Sequence, residues 1–380
     1  MNASPMTTVH GTADERFTPV RAEFTAIAGE EPGLSAQLSV WLHGRQVVDL
    51  WTGPDVTGDS LLALYSSGKG AAHLVTALLV QDGVLYLDRP VADDWPEFAA
   101  GGKAGLTLRD LLSHKAGLLG HPKGLSTAEL ADERQLAELL AALRPAWTPG
   151  TGYGYHAFTV TALTGELISR VTGRTLQDHY AERLRIPYGL DFHLGLPESE
   201  EPRYLPAQPA PVAPGRLPTG LTALAFNAHA QPPTDLVKYA NTRTVRALGS
   251  ASSGSVGTAR GLAKLYAAGV SAVDGRAPLL GPDVLAEFTA PHTRGADLVT
   301  GEEDHFLLGF EAQGVRYKGL LGARAFGHSG AVGAQSFADP ATGIAYSYTR
   351  RRFAPGGGGG APENHRLIAA VGKAAATARR

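Results

Sequence analysis

Ser66 and Lys69 stand three residues apart at the head of a long apolar run, so a hydroxyl and an amine are available to work as one unit. Residues three apart on a helix share a face. From Gly70 to Val80 the chain is rich in Ala and Leu, lacks proline, and spaces Ala71, Leu74, Val75, Leu78 and Leu79 by threes and fours. This predicts a helix with a wide buried side that opens near Ser66 and ends near Asp82-Gly83, where glycine supplies a left-handed cap. Burial disfavours the charged form of an amine. A neutral Lys69 can accept the Ser66 proton, which is how a weak hydroxyl becomes a nucleophile. The tetrapeptide alone is weak evidence, since Ser-x-x-Lys arises by chance roughly once in a chain of this length. Other groups must converge on it.

Two further segments offer such groups. Trp147-Thr148-Pro149-Gly150 leads into Thr151-Gly152-Tyr153-Gly154-Tyr155-His156-Ala157, a glycine-punctuated loop ahead of a helix predicted from Phe158 to Val171. A loop of this kind can push the Tyr155 hydroxyl into a cleft. A phenol ionises near 10 in water, and a neighbouring Lys69 ammonium would draw it toward working range. An isolated tyrosine at such a place more commonly just packs. Near the C-terminus, His328-Ser329-Gly330 lies between two predicted strands. Gly330 permits close approach to the backbone, and the next amide, on Ala331, paired with the Ser66 amide, would hold a developing oxyanion.

Competing chemistries fail on composition or spacing. Cysteine is absent, which removes disulfides, thiolate metal sites and cysteine nucleophiles. No Gly-x-Ser-x-Gly and no His-Glu-x-x-His occurs, the thirteen histidines show no ligand spacing, and no metal or cofactor is expected. Gly68-Lys69 lacks the earlier glycine of a phosphate loop, Ala63 standing there. His114 reads as a structural turn residue. Thirty-four basic and 36 acidic side chains give a formal charge of −2 without a basic stripe, so neither nucleic acid nor a membrane surface is an expected partner. The polar segment Met1 to Val20 and the shortness of every apolar run point to a cytoplasmic protein.

The elements that must position these groups are legible along the chain. Leu38–Leu42 and Gln46–Trp51 flank His43-Gly44-Arg45 as a hairpin. Thr107 to Asp110 has the spacing of a capping box ahead of a short helix. Gln135–Leu143, Phe158–Val171 closed by Gly173, Leu176–Arg185 and Thr258–Val270 read as helices. Nine prolines between Pro197 and Pro233 forbid continuous helix or central strand. Leu205, Val212, Leu217, Leu221, Leu224 and Phe226 give that stretch anchors, which favours an ordered wall of the site over a linker. Phe306–Gln313, Ala325–Gly327, Gly333–Asp339 and Gly343–Arg350 read as strands, with a turn at Pro340 to Gly343. The glycine run Gly356–Gly360 links them to a last helix from Pro362 to Ala376. Strands near both ends imply one sheet built from the two termini. The expected division is a discontinuous α/β lobe of residues 1–95 and 235–380 and a helical lobe of residues 96–234, with the active-site wall at 197–233.

Taken in order, Tyr65–Lys69, Leu85–Phe98, Leu112–Leu118, Pro149–Gly173, Asp191–Pro197, Gly257–Ala267 and Phe326–Gly343 resemble the serine β-lactamase and penicillin-binding superfamily. Within it the chain is most similar to the family VIII carboxylesterases, which are related to class C β-lactamases. The resemblance implies an α/β (α+β) two-lobe fold, an antiparallel sheet flanked by helices beside a mostly helical lobe. It further implies Ser66 as acylated nucleophile, Lys69 as its partner, Tyr155 as general base, and His328, Ser329, Gly330 and Ala331 as the strand that docks substrate. The choice of base between Lys69 and Tyr155 stays open at this level. Relatives that hydrolyse β-lactams usually have Asn two positions after the tyrosine and Lys opening the strand motif, where this chain has Ala157 and His328. Losing a polar contact of that kind costs about 1 kcal/mol, and a neutral imidazole holds a carboxylate less well than an ammonium. The expected activity is therefore ester hydrolysis through an acyl-enzyme on a small-molecule ester or amide. Acyl transfer, D-amino-acid amidase or peptidase action and weak β-lactamase activity are alternatives on the same site. A non-catalytic binding protein of the same fold is the alternative of another class.

Overall fold

The computed structural model describes residues 8–211, 215–355 and 359–376. The first residues of the Met1–Val20 segment, Val212 of the proline-rich stretch and Gly356–Gly358 of the glycine run lie outside these. The main sheet contains β1 (Val9–Ala13), β2 (Ala36–Leu42), β3 (Arg45–Thr52), β4 (Glu311–Ala312), β5 (Phe326–Ser329), β6 (Gln335–Asp339) and β7 (Ile344–Arg350). Their order is β1-β3-β2-β7-β6-β5-β4, antiparallel throughout. The two ends of the chain meet where β2 pairs with β7, Val40 opposite Tyr346 and Leu42 opposite Ile344.

Side-chain alternation decides what covers each face. Leu38, Val40, Leu50, Tyr346 and Tyr348 pack against α1 (Thr18–Glu30) and the C-terminal helix at Glu363–Ala376, through Phe24, Leu367 and Val371. The opposite face carries small residues, Ser39, Ser336, Ala338, Ala345 and Ser347, all buried. That flat surface admits a helix, Ala259–Val270, whose first amide donates to the buried Gln37 side chain.

Beyond that helix lies α2 (Lys69–Gln81), in which every residue from Lys69 to Leu79 is buried. Leu74, Val75 and Leu78 share one core with Leu163, Leu167 and Tyr180 on one side and Phe310 and Phe326 on the other. Each fully buried leucine contributes about 2 kcal/mol, so this helix anchors what it carries. Gly83, at φ +69°, follows its end. The helical part includes α3 (Glu133–Ala141) and α4 (Val160–Thr172), the latter closed by Gly173 at φ +72°. A second sheet of three short strands, Leu62–Ala63, Val256–Gly257 and Phe192–His193, leads directly into the Ser66 turn. Among the described residues no helix is long and apolar enough to cross a membrane.

Two local expectations are corrected. Phe306–Gln313 is strand only at Glu311–Ala312. Phe306, Leu307, Leu308 and Phe310 are all buried, an unbroken apolar run without alternation, and Leu307 donates back to the Phe310 carbonyl across Gly309 at φ +79°. The run folds into a tight core-filling turn. His328 and Ser329 do not lie between strands but within β5, facing Ser336 and Gln335 across the ladder.

Candidate active site

The chain leaves Leu62–Ala63, turns through Tyr65 at φ +48° and enters a 3-10 turn, Tyr65–Gly68, before α2 begins. A bulky residue in that region is strained by about 1 kcal/mol or more. The surroundings hold Tyr65 in place: its hydroxyl donates to the Leu236 carbonyl, its carbonyl accepts from Ser255 Oγ, and its ring lies edge-on to Phe353. This bend puts Ser66 at the head of the helix with its side chain half-buried. Glycine is required beside it. A Cβ on Gly70 would lie 2.0 Å from the Tyr266 hydroxyl, and one on Gly330 would lie 2.4 Å from the Leu64 carbonyl. The strand end at Gly330 and the Ser66 turn can therefore touch.

Ser66, Lys69 and Tyr155 meet. Lys69 Nζ lies 3.0 Å from Ser66 Oγ, and the Tyr155 hydroxyl lies 2.9 Å from the same oxygen on another side. Nζ also donates to the carbonyls of Ala157, at 2.7 Å, and Ser252, at 2.8 Å. The Ser252 carbonyl accepts from Ser66 Oγ at 3.2 Å. Ser252 belongs to a loop for which the sequence analysis assigns no role, although the run Ser250 to Ser255 of small residues signals close packing. The loop is pinned by Glu133 of α3, which accepts from Ser250 and Thr161, while Thr161 also bonds Ser252 Oγ.

Burial dominates the electrostatics. Lys69 is fully buried, and loss of hydration pushes its pKa down to about 7, with Glu311 and Glu133 pulling weakly the other way. Burial also drives Tyr155 well above the ordinary phenol range, and the Ser66 hydrogen bond only partly opposes this. The expectation that a Lys69 ammonium brings the phenol down into working range is corrected. In a site this dry both groups favour their neutral forms.

Tyr155 is held from several directions. Its ring stacks on Phe306 at 5.6 Å and meets Phe226 and His114 edge-on. Its amide donates to Asp297 Oδ1. The loop around it is tied by two buried imidazoles: His156 N donates to His114 Nδ1, and Leu118 N donates to His156 Nε2. Burial pushes His156 down to about 4, so it stays neutral and keeps this acceptor. His114, at φ +57°, is the turn residue the sequence suggests.

His328 is fully buried, with Nδ1 2.8 Å from the Ser329 carbonyl, and its ring lies 5.9 Å from that of Tyr155. Burial pushes it down to about 4. The Ser329 hydroxyl donates to Glu311 at 2.7 Å. Neither side chain is open to a ligand in this arrangement, whereas Ala331, just past the strand, is partly exposed. Among the described residues no group of three or more His, Asp or Glu side chains is arranged to hold a metal ion.

This geometry can be set beside known proteins. The β-lactamase family matches residues 20–370. The structure of EstA from Arthrobacter nitroguajacolicus Rue61a is 38% identical, with a TM-score of 0.90 over 97% of this chain and 99% of that one. A family VIII carboxylesterase is 32% identical, with a TM-score of 0.87 over 97% of this chain and 100% of that one. The esterase/β-lactamase LipL of Mycobacterium tuberculosis is 38% identical over 203 residues, 51% of this chain and 47% of that protein. The chain thus spans about half the length of the curated relatives it matches. A match running from the first sheet helix into the last, with two solved relatives aligned almost end to end, leaves one assignment: the chain belongs to the β-lactamase family.

Proposed function

We propose that the protein is a serine hydrolase that cleaves carboxylic esters of small molecules through an acyl-enzyme on Ser66. One observation carries this reading: an amine and a phenol, far apart in the chain, both lie within 3.0 Å of the Ser66 hydroxyl oxygen. With Lys69 neutral, its two N–H bonds satisfy the Ala157 and Ser252 carbonyls and its lone pair faces Ser66 Oγ. Lys69 then acts as the base. Ser66 Oγ bonds to the ester carbon, its proton passes to Nζ, and the carbonyl oxygen takes the negative charge against the Ser66 and Ala331 amides. Collapse of that adduct breaks the bond to the alcohol oxygen, which takes the Tyr155 proton. The Lys69 ammonium restores the phenol. Water releases the acid by the same steps reversed, attacking the acyl carbon while Lys69 receives its proton.

Esters are favoured over lactams because Ala157 offers a methyl and His328 is buried and neutral, so neither supplies a polar side chain for an amide or a carboxylate. Phe226 and Phe306 beside Tyr155 favour an apolar acyl or alcohol group. The names of the EstA and family VIII carboxylesterase relatives agree with this choice.

The test is intact-mass measurement after mixing with p-nitrophenyl butyrate. The expected result is a butyryl increment on the peptide that contains Ser66, together with p-nitrophenol release. Absence of both would overturn the proposal. A second expectation concerns pH. A protonated Lys69 cannot accept the serine proton, so kcat/KM should fall about tenfold per unit below about 7 and level off above it. A profile flat from about pH 5 to 9 would remove Lys69 as the base.

A further inference from the structure

Glu311, on β4, is buried and takes no part in the chemistry proposed for Ser66. Its carboxylate accepts the Ser329 amide at 3.0 Å, the Ser329 hydroxyl at 2.7 Å and the Gln313 side-chain amide at 2.9 Å. His328 Nδ1 lies 3.3 Å away, and His305 and Arg316 each approach to 3.8 Å. A buried carboxylate needs such pairing to remain charged. Here the pairing balances: Glu302 grips both His305 and Arg316 from the far side, so two carboxylates face two cations. His305, between the carboxylates, is held charged with its pKa raised to about 9.

The location of this carboxylate gives it a task. β4 pairs with β5 at only two positions, Glu311 with Gly327 and Ala312 with Phe326. Before Glu311 the chain bends away through the turn at Gly309, so no strand backbone stands beside Ser329 on that edge. The Glu311 side chain takes the missing strand's place as acceptor of the Ser329 amide. Two residues further on is Ala331, whose amide is the second oxyanion donor of the proposed reaction. Gly330 between them is pressed against the Ser66 turn, so any slack at Ser329 passes directly to Ala331.

We propose that Glu311 is a positioning residue: its buried carboxylate substitutes for strand pairing, clamps Ser329, and thereby sets the Ala331 amide against the oxyanion. This rests on the hydrolase reading above. It carries an electrostatic signature, because Glu311 also stands near Lys69. The groups that face Lys69 are Glu311 from β4, Glu133 from α3, His73 one turn along α2, His328 from β5, His114 from the loop beneath Tyr155, and Tyr155 itself. Of these the two carboxylates favour the ammonium. Neutralising one of them lowers the pH at which Lys69 protonates.

The experiment compares wild type, Glu311→Gln and Ser329→Ala on p-nitrophenyl butyrate across pH, with circular dichroism and thermal melting to confirm folding. The side-chain amide introduced by Glu311→Gln can still accept from the Ser329 amide and can donate to the Ser329 hydroxyl, but both ties lose the carboxylate charge that strengthens them. For this variant kcat is expected to fall about 10- to 100-fold with KM within about twofold of wild type, less than the roughly 10²- to 10³-fold loss that follows outright removal of an oxyanion donor. Its acid limb should move to lower pH by about half a unit or more. Ser329→Ala removes one of the two ties but keeps the charge, so kcat should fall about several-fold with the acid limb unmoved. A folded Glu311→Gln enzyme with wild-type kcat, or one with reduced kcat and an unmoved limb, would overturn the proposal. If Glu311→Gln does not fold, Ser329→Ala decides: a reduced kcat supports the clamp, and a wild-type kcat removes it. Wild type run alongside separates the two readings. An enzyme that forms no acyl intermediate ends the hydrolase proposal, whereas an acylating wild type with unaffected variants ends only the role of Glu311.

Discussion

Ser66→Ala should yield a folded protein whose ester hydrolysis falls by about 10⁴-fold or more and which takes up no acyl mass from p-nitrophenyl butyrate. The substitution removes one half-buried hydroxyl. Lys69 keeps its bonds to Ala157 and Ser252, and Tyr65 keeps the contacts that hold the turn. The Tyr155 hydroxyl loses its acceptor, a change of about 1 kcal/mol, so melting temperature should shift little. Loss of activity without loss of fold identifies the nucleophile. Retained turnover in this variant would mean that hydrolysis happens elsewhere on the protein.

Lys69→Met should lower kcat/KM by about 10³-fold or more, and the residual activity should lose its acid limb near pH 7. Methionine fills a similar volume in the same buried slot, which keeps the packing of α2. The Ala157 carbonyl loses its Lys69 donor, at about 1–3 kcal/mol, while the Ser252 carbonyl keeps the bond from Ser66 Oγ. Relief from burying an amine offsets part of that. Tyr155→Phe is the informative comparison. It removes the proton donor to the departing alcohol but leaves the base, so turnover should fall about 10²- to 10³-fold while the acid limb stays near 7. The opposite pattern, with Lys69→Met active and Tyr155→Phe losing the limb, would transfer the base role to the phenol. Measurement of kcat/KM against pH for the three proteins distinguishes the two assignments.

The groups proposed to react are visible in the sequence because each comes with a local signature. Ser66 and Lys69 head an apolar run of helical period, and α2 forms where that period predicts. The Thr107 capping box, the left-handed Gly83 and Gly173, and the His43-Gly44 hairpin depend on neighbours a few residues away, and all are present. The stretch at Phe306–Phe310 reads as strand and folds as a turn for a related reason. An unbroken apolar run states that it is buried but does not state in which conformation, and Gly309 resolves it as a turn. Ser252 and Glu311 carry no local signature, since their partners are distant in the chain: Ser252 meets Lys69 across 183 positions and Glu311 meets Ser329 across 18.

What the sequence determined by itself is therefore which groups are available and which helices and hairpins carry them, because those depend on short-range periodicity and capping. Only the tertiary structure decided their charge states. An isolated Ser-x-x-Lys and a loop tyrosine are compatible with an ammonium and a phenolate. Enclosure by α2, the Ser252 loop, Phe306 and the buried histidines strips water from both, and removal of hydration outweighs their mutual attraction. The result is an amine that gives up its proton near pH 7 and a phenol that stays neutral, both on one serine oxygen.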